Sequence, residues 1–238
     1  PPADVVWVGA TGLVDVPLGR RLARRLDVPF VFDPLVSLGE TVRDRGLAPE
    51  GGARLALFDR LEAELFRWPD LVAVDTAAHG VAWAAEIGLP RWRTFVLSVG
   101  APRVFQSRTP PYAPRGDRPL RVVYFGQFIP FHGVDVVLDA ADRLRDRPID
   151  FTFVGDGQMR AAAEATARRL GLSRVRFVTE WLTPEALVDR HIAPADVCLG
   201  VFGDRPKTAR VVPYKVYAAL AAGRAVVTSD TPALRERL

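Results

Sequence analysis

Short runs rich in β-branched and aromatic residues alternate with helical segments along almost all of the 238 residues. This alternation is typical of parallel βαβ units, because each parallel strand needs a crossover before the next one. In the first half it predicts strands near residues 4–8, 29–32, 71–74 and 94–99, and helices near 16–26, 53–68 and 76–87. In the second half it predicts strands near residues 121–125, 150–154, 175–178, 196–201 and 225–228, and helices near 133–145, 158–170, 184–192 and 213–222. The chain is therefore predicted to be an α/β protein.

Residues 101–119 interrupt the alternation with five prolines, four arginines and little apolar periodicity. A segment of this kind between two βαβ arrays predicts a linker between two domains. We expect two doubly wound parallel-sheet domains of Rossmann-like type facing a cleft. The predicted limits are a partial N-terminal domain at 1–104, a linker at 105–119 and a partial C-terminal domain at 120–238. We expect both ends to be cut, because the chain starts without Met and stops inside a helical pattern.

Charge and composition narrow the class of partner. The net charge is +4, with 32 basic and 28 acidic residues and no run of five like charges, which disfavours a nucleic-acid partner. A basic balance of this kind fits an anionic ligand or a membrane surface. No apolar run approaches the roughly 18 residues of a membrane span, and no signal peptide is recognisable. Because the single cysteine, Cys198, lies in an apolar run, we expect a reducing, cytoplasmic compartment.

The two lysines of the chain, Lys207 and Lys215, both fall where a polar loop leads into a predicted helix near Pro213. The N-terminus of a helix offers unpaired N–H groups and a partial positive charge. With Arg210 added, this junction is predicted to bind a diphosphate. The alternative is a solvated turn.

Ligands of doubly wound sheets bind beyond the carboxyl ends of the strands, so the residues that follow each strand are candidates. Glycines there allow close backbone approach, although turn geometry alone also explains them. A carboxylate beside an aromatic ring can pair with and stack a nucleobase, although packing is the alternative for the ring. The candidates in these positions are Gly126, Gln127, His132, Gly133, Gly155, Asp156, Gly157, Glu180 and Trp181.

Several stretches together resemble the retaining glycosyltransferases of family 4 (group 1), which have the GT-B fold. In the second half the resemblance is carried by FGQFIPFHGVDVVLDAADRL, FTFVGDG, VRFVTEW, PADVCLGVFGDRPKTARVVPYKVYAALAAGRAVVTSD and TPALRER. In the first half it is carried by DLVAVDTAAHGVAW and VLSVGAPRVF. The resemblance covers nearly the whole chain. The resemblance does not extend to the family's N-terminal Gly-rich strand and loop or to its C-terminal crossing helix.

The resemblance implies transfer of a hexose from a nucleotide-diphosphate sugar, of UDP or GDP type, to a hydroxyl acceptor with retention and without a metal or other cofactor. The acceptor would be a glycan or a lipid-linked molecule, in polysaccharide or glycolipid biosynthesis. Negative charge grows on the departing β-phosphate, and losing one fixed donor at such a site costs about 3–4 kcal/mol. The residues implied as catalytic are Lys215, Arg210 and His132, while Lys207 and Val212 add to the donor site.

The chain departs from the family pattern at four positions. The family's paired glutamates fall on Arg210 and Ala218, and its basic loop residues fall on Gln127 and His132. Two alternatives therefore stay open: a catalytically weak sugar-nucleotide-binding subunit, and a GT-B sugar-nucleotide 2-epimerase. A dinucleotide-dependent dehydrogenase is disfavoured, because no Gly-x-Gly-x-x-Gly follows a strand.

Two features of the first half point to the acceptor. Asp33, Asp75 and His79 follow predicted strands and are candidates for orienting an acceptor hydroxyl, although helix capping is the alternative for Asp75. The predicted helix at 16–26 has leucines spaced by four residues on one side and four arginines elsewhere. This pattern predicts peripheral contact with anionic lipid at the inner membrane face. A Rossmann helix with a solvated arginine face is the alternative.

Overall fold

A computed structural model describes residues 3–10, 12–49, 51–113 and 116–237. The described residues form two compact units. Unit 1 holds the described residues up to Ser98, together with Ala209–Val211 and those from Thr231 onward, and unit 2 holds the rest. The predicted domain limits stay a prediction. The prediction about the chain ends falls on residues 1, 2 and 238, and part of the linker prediction on residues 114 and 115, which lie outside the described residues.

The described part of unit 1 contains a parallel sheet of four strands. These strands are β1 (Val6–Val8), β2 (Phe30–Phe32), β3 (Leu71–Val74) and β4 (Thr94–Val96). They neighbour one another in chain order. The connecting helices are α1 (Val16–Leu26), α2 (Leu38–Asp44), α3 (Ala53–Phe66) and α4 (Ala77–Glu86). Sequential parallel strands joined by helices are the βαβ arrangement that the sequence predicts.

The core of unit 1 forms where these helices meet the sheet. Phe66 contacts both Phe32 and Trp83 edge to face, with ring centroids 5.3 and 5.1 Å apart. The helix α1 packs through its small residues, because a Cβ at Gly19 would lie 2.7 Å from the Phe30 side chain. Its leucines therefore point away from this core, with Leu18 exposed to 57%.

Unit 2 contains, among its described residues, a parallel sheet of five strands. They are β5 (Leu120–Phe125), β6 (Ile149–Val154), β7 (Val175–Val178), β8 (Val197–Leu199) and β9 (Ala225–Val227). Their spatial order is β7-β6-β5-β8-β9, which is the doubly wound arrangement with its switch point beside β5. The helices are α5 (Arg103–Ser107), α6 (Val134–Arg143), α7 (Arg160–Arg169), α8 (Pro184–Leu187) and α10 (Tyr214–Ala221), while α9 (Pro206–Arg210) begins in unit 2 and ends in unit 1.

The sheet of unit 2 is covered on both faces. Side chains of α6 and α7 pack with Tyr124 and Phe153 on one face. On the other face Phe125 and Val154 pack with α5, α10 and a π-helical turn, Val188–Ile192, that continues α8. The last helix, α11 (Pro232–Arg235), belongs to unit 1. Among the described residues no helix is long and apolar enough to cross a membrane.

The elements differ from the predicted ones in three places. The helix α2 was not predicted, and neither was α9. The segment 101–119 was predicted as a linker, but α5 forms within it because Phe105 is buried in the core of unit 2. Several strands are also shorter than predicted, since β4 ends at Val96 and β8 at Leu199.

Candidate functional site

The carboxyl ends of β5 and β6 lead into two loops that touch. The backbone N–H of Gly126 donates to the Val154 carbonyl at 2.9 Å, and that of Phe128 donates to the Asp156 carbonyl at 2.9 Å. A Cβ at Gly155, which has a φ of +131°, would lie 2.1 Å from the carbonyl oxygen of Gly126. The predicted close approach at Gly155 is therefore a property of the structure.

A third loop, following β8, packs against the first. A Cβ at Gly133 would lie 2.5 Å from the backbone nitrogen of Gly203. The N–H groups of Phe202 and Gly203 donate to the carbonyls of His132 and Phe131, at 3.1 and 3.2 Å. The loops after β5, β6 and β8 thus form one continuous surface at the carboxyl edge of the unit 2 sheet. Another predicted glycine, Gly157, lies against the Phe128 backbone, since a Cβ at Gly157 would lie 2.7 Å from the Phe128 backbone nitrogen.

Lys215 and His132, both predicted to be catalytic, lie together at this edge. Lys215 is in the first turn of α10, and its Nζ lies 3.4 Å from His132 Nδ1 and 3.9 Å from the centroid of the Tyr124 ring. His132 Nδ1 also lies 2.5 Å from the carbonyl oxygen of Gln127, which can only accept. The Tyr124 hydroxyl lies 2.9 Å from the same nitrogen, so three polar groups converge on Nδ1.

Lys215 is a buried amine, with 5% of its surface exposed. Among the described residues no carboxylate forms an ion pair with it. Burial lowers the pKa of its ammonium well below the ordinary value, because desolvation penalises the charged form. An anion placed beside Nζ would favour the charged form again. Anion binding at this place stays a prediction.

Lys207 and Val212 are buried at the same edge. The Lys207 Nζ lies 5.7 Å from the centroid of the Phe131 ring, in the loop that also carries His132. Val212 precedes Pro213, the N-cap residue of α10, so its backbone lies at the positive end of that helix. The structure thus brings together Lys207, Lys215, His132 and Val212, as expected for a donor site. Their roles stay predictions.

Arg210 has a different environment, in unit 1. Its guanidinium forms ion pairs with Glu86 and, at 3.3 Å, with Glu40. Its carbonyl oxygen accepts a hydrogen bond from the Thr76 hydroxyl. The predicted diphosphate site contained three cations. In the structure one of them, Arg210, has two carboxylate partners. Its catalytic role stays a prediction.

The remaining donor candidates are exposed. Asp156 accepts a hydrogen bond from the backbone N–H of Gly157 at 2.7 Å, which is a turn contact. Glu180 pairs with Arg190 at 3.1 Å. Trp181 is exposed to 95%, so the alternative of a packed core tryptophan is wrong. A fully presented indole face is available for stacking, and that role stays a prediction.

The acceptor-side candidates lie in unit 1. His79 is fully buried, with Nδ1 2.6 Å from Asp75 Oδ1, while its Nε2 lies 3.9 Å from Glu40 Oε2. Thr76 caps α4, since its hydroxyl accepts from the His79 backbone N–H at 3.0 Å. Asp33 follows β2, and burial raises the pKa of its carboxyl. The structure pairs Asp75 with His79, and the acceptor roles stay predictions.

One buried cation at the carboxyl edge was not predicted. Arg160, in the first turn of α7, donates to the carbonyl of Gly155 and lies 5.7 Å from the centroid of the Phe128 ring. It therefore holds the loop after β6 in place. A basic residue in the first turn of a helix opposes the helix dipole, and this is the sequence signal that could have indicated it.

The described residues contain no group of three or more His, Cys, Asp or Glu side chains that could hold a metal ion. Cys198 is fully buried, and burial raises the pKa of its thiol to about 12. Burial therefore disfavours the reactive thiolate form near neutral pH.

Comparisons with known proteins identify the family and the fold. The profile of the family described as Glycosyl transferases group 1 matches residues 119–238. The WcaI protein of Escherichia coli (strain K12), named for glycosyl transfer in colanic acid biosynthesis, is 32% identical over 114 residues. That match covers 46% of this chain and 26% of WcaI.

Solved structures match both units. The structure of Anabaena HepE in complex with UDP and glucose has a TM-score of 0.70 at 18% identity, covering 99% of this chain and 61% of that one. Sucrose-phosphate synthase from Thermosynechococcus elongatus has a TM-score of 0.65 at 19% identity, covering 98% of this chain and 57% of that one. These matches confirm the predicted α/β GT-B fold with two parallel sheets. The chain spans less than two thirds of the length of each of these relatives.

Half of the chain, including every loop of the unit 2 carboxyl edge, thus falls within one family profile. The chain belongs to the family Glycosyl transferases group 1.

Proposed function

We propose that this chain acts as a retaining, metal-independent glycosyltransferase of family 4. It would transfer a hexose from a UDP- or GDP-sugar to a hydroxyl group of a glycan or lipid-linked acceptor. The observation that carries the proposal is the buried Lys215 ammonium, which lies beside His132 with no carboxylate partner among the described residues. The structures of HepE with UDP and with UDP-glucose make these compounds the first ligands to test.

The chemistry requires a cation at this place. As the bond between the anomeric carbon and the β-phosphate oxygen breaks, its electron pair stays on the phosphate. The acceptor oxygen forms the new bond to the anomeric carbon, and its proton passes to the phosphate. Lys215, with Lys207 and the amide dipoles at the start of α10, would stabilise the growing charge. A preorganised donor of this kind is worth about 3–4 kcal/mol.

Arg210 contributes less to this proposal than its sequence position suggests. Its guanidinium is already neutralised by Glu40 and Glu86. Binding a diphosphate would require it to leave these carboxylates, which offsets the gain. We therefore assign the leading role to Lys215 and keep Arg210 as a secondary candidate.

The test is ligand binding by the protein and two variants. UDP and UDP-glucose should raise the melting temperature of the wild type, and Lys215→Met should remove that shift. The matched control is Arg169→Met, which removes a positive charge from the exposed last turn of α7. Unchanged UDP binding by Lys215→Met would refute the proposal, whereas equal loss in the control would show that only overall charge matters.

A second reading, a catalytically weak sugar-nucleotide-binding subunit, is favoured by Ala218. The family resemblance places a ribose-binding glutamate at this position, but Ala218 is fully buried in an apolar cluster. Binding of UDP-glucose without hydrolysis or transfer would support this reading. Product analysis by NMR would also separate transfer from 2-epimerisation of the sugar nucleotide.

We also infer peripheral contact with anionic lipid at a cytoplasmic membrane face. On α1 the leucines Leu18, Leu22 and Leu26 are exposed to 57%, 42% and 50%, beside the exposed Arg21 and Arg25. An exposed apolar stripe flanked by arginines suits the boundary between headgroups and acyl chains. Such contact would bring the protein to a lipid-linked acceptor.

A further inference from the structure

A cavity of about 490 Å³ lies on one face of the unit 2 sheet, away from the loops of the carboxyl edge. Its charged and polar lining comes from three strands, the segment before β7 and the turn after α8. These residues are Arg121, Asp150, Thr152, Ser173, Arg174, Arg176, Arg190 and His191. Four arginines therefore face one carboxylate.

The cavity lies where the side chains on this sheet face change from charged and polar to apolar along the strands. Arg121 lies beside Asp150, and Thr152 beside Arg176, across neighbouring strands. Two residues further along the same face, towards the carboxyl ends, come apolar side chains that belong to the core, including Val123 and Val154. Packing accounts for the apolar half of the face, but it does not require arginine in the other half.

Two of the arginines are already neutralised. Arg174 pairs with Asp150 at 2.8 Å, and Arg190 pairs with Glu180 at 3.1 Å. Arg121 and Arg176 have no carboxylate partner among the described residues. The Arg176 guanidinium donates to the Thr152 hydroxyl at 3.5 Å. The cavity therefore has an excess of positive charge.

His191 reports this excess. Its ring is half-buried, and its pKa lies below the ordinary value because of burial and the positive charges of Arg176 and Arg190, partly opposed by Glu180. A dianion bound between these groups would cancel the repulsion. It would therefore raise the pKa of His191.

We propose that this cavity binds the phosphate group of a small soluble molecule. Guanidinium groups bind phosphate oxygens in pairs, and the hydroxyls of Ser173 and Thr152 can donate to the remaining oxygens. A concave site of this volume suits a small phosphate ester better than a flat lipid surface. The site uses residues of the sheet face and not the glycine loops, so it does not depend on the proposed function.

The first experiment measures the pKa of His191 by NMR, with and without sulfate, in a Lys215→Met background. Sulfate stays a dianion between about pH 5 and 8, where histidine titrates, so any change in charge belongs to the protein. The background variant removes the buried amine of the donor site. Comparison with His191→Gln assigns the resonance among the three histidines of the chain.

Sulfate should raise the pKa of His191, and its binding should strengthen as the pH falls. In the double variant Arg121→Gln, Arg176→Gln the dissociation constant should rise by about tenfold or more, because charge-assisted hydrogen bonds are lost. The matched control is Arg54→Gln, an exposed arginine of α3. A pKa of His191 that does not respond to sulfate would overturn the proposal, as would equal binding by the double variant.

A second pair of probes separates the sources of phosphate. Glucose 6-phosphate should bind to the wild type and compete with sulfate. Binding to vesicles that contain phosphatidylglycerol should not depend on Arg121 and Arg176. Vesicle binding that is lost in the double variant, without binding of glucose 6-phosphate, would overturn the assignment to a soluble ligand. The melting temperature of the ligand-free double variant tests its folding, so failure of the proposed donor site would leave the sulfate result intact.

Discussion

Replacing Lys215 by Met should stabilise the ligand-free protein while abolishing donor binding. Methionine keeps a long apolar stem but removes the buried amine, which is 5% exposed and lies over the Tyr124 ring at 3.9 Å. A cation over an aromatic ring gains about 2 kcal/mol when desolvated. Desolvation of an ammonium costs several kcal/mol even after relaxation. The cost exceeds the gain, so the wild-type lysine is destabilising without its anion.

The size of the effect follows from this difference. A buried polar group without an adequate partner costs about 1–3 kcal/mol. The free energy of unfolding of the ligand-free variant should therefore exceed that of the wild type by about 1–3 kcal/mol. For a chain of this length, each kcal/mol corresponds to a rise in melting temperature of roughly 2–4 °C.

The effect should depend on pH with a definite sign. The folded pKa of Lys215 lies below the ordinary value of 10.5, so between the two values the unfolded chain binds the additional proton. Wild-type stability should rise with pH through this window, by at most about 1.4 kcal/mol per pH unit from this residue. The advantage of Lys215→Met should be largest below the folded pKa and should shrink as the pH approaches 10.5.

Urea unfolding at a series of pH values would measure this, with Arg169→Met as the control. Lys215→Arg provides a further comparison, because a guanidinium cannot lose its proton. This variant should be less stable than the wild type at every pH between the folded pKa of Lys215 and 10.5. The reasoning would be refuted if Lys215→Met were less stable than the wild type by more than about 1 kcal/mol at every pH. That result would mean that the ligand-free ammonium has a favourable environment.

Two further predictions concern stability in acid and membrane contact. Asp196 accepts hydrogen bonds from Arg118 and from the Arg121 backbone, and the Arg118 guanidinium above all lowers its pKa to about 2. This stabilisation is complete above the ordinary pKa of 3.8 and is lost as the pH falls through about 2. In urea unfolding, Asp196→Asn should therefore lower the free energy of unfolding by about 2 kcal/mol near neutral pH and by less near pH 3. An equal loss at both pH values would contradict this. In co-sedimentation with phosphatidylglycerol vesicles, the double variant Leu18→Ser, Leu22→Ser should bind at least several-fold more weakly than the wild type. The control Leu57→Ser, Leu61→Ser changes two exposed leucines of α3 and should not weaken binding. Equal loss in both pairs would argue against contact through α1.

Elements with strong local signals were predicted closely. The limits of α1, β3 and β7 match the predicted ones, because their periodicity and stop signals are local. The missed helix α2 also had a signal. Ser37 caps it by accepting from the Glu40 backbone N–H at 3.1 Å, and this Ser-x-x-Glu spacing is the start of a capping box.

The site was predicted less completely than the fold, because side-chain partners come from distant parts of the chain. Lys215 and His132 could be placed together, since parallel strands bring their following loops to one edge. The partners of Arg210, Glu40 and Glu86, lie 170 and 124 positions away from it, and no local pattern indicates such a pair. Arg160 was missed because its role depends on the loop before α7 folding back over it.

The contrast between Lys215 and Arg210 offers a physical reason for lysine at the proposed donor site of a chain that otherwise uses arginine. A guanidinium is always charged, so a half-buried arginine such as Arg210 gains from carboxylate partners whether or not a ligand is present. Arg210 has two of them. A lysine can give up its proton on burial and regain it when an anion arrives, so it needs no permanent carboxylate. In the proposed donor site, a carboxylate beside Lys215 would compete with the diphosphate for the same charge, whereas its absence would leave the full interaction for the ligand.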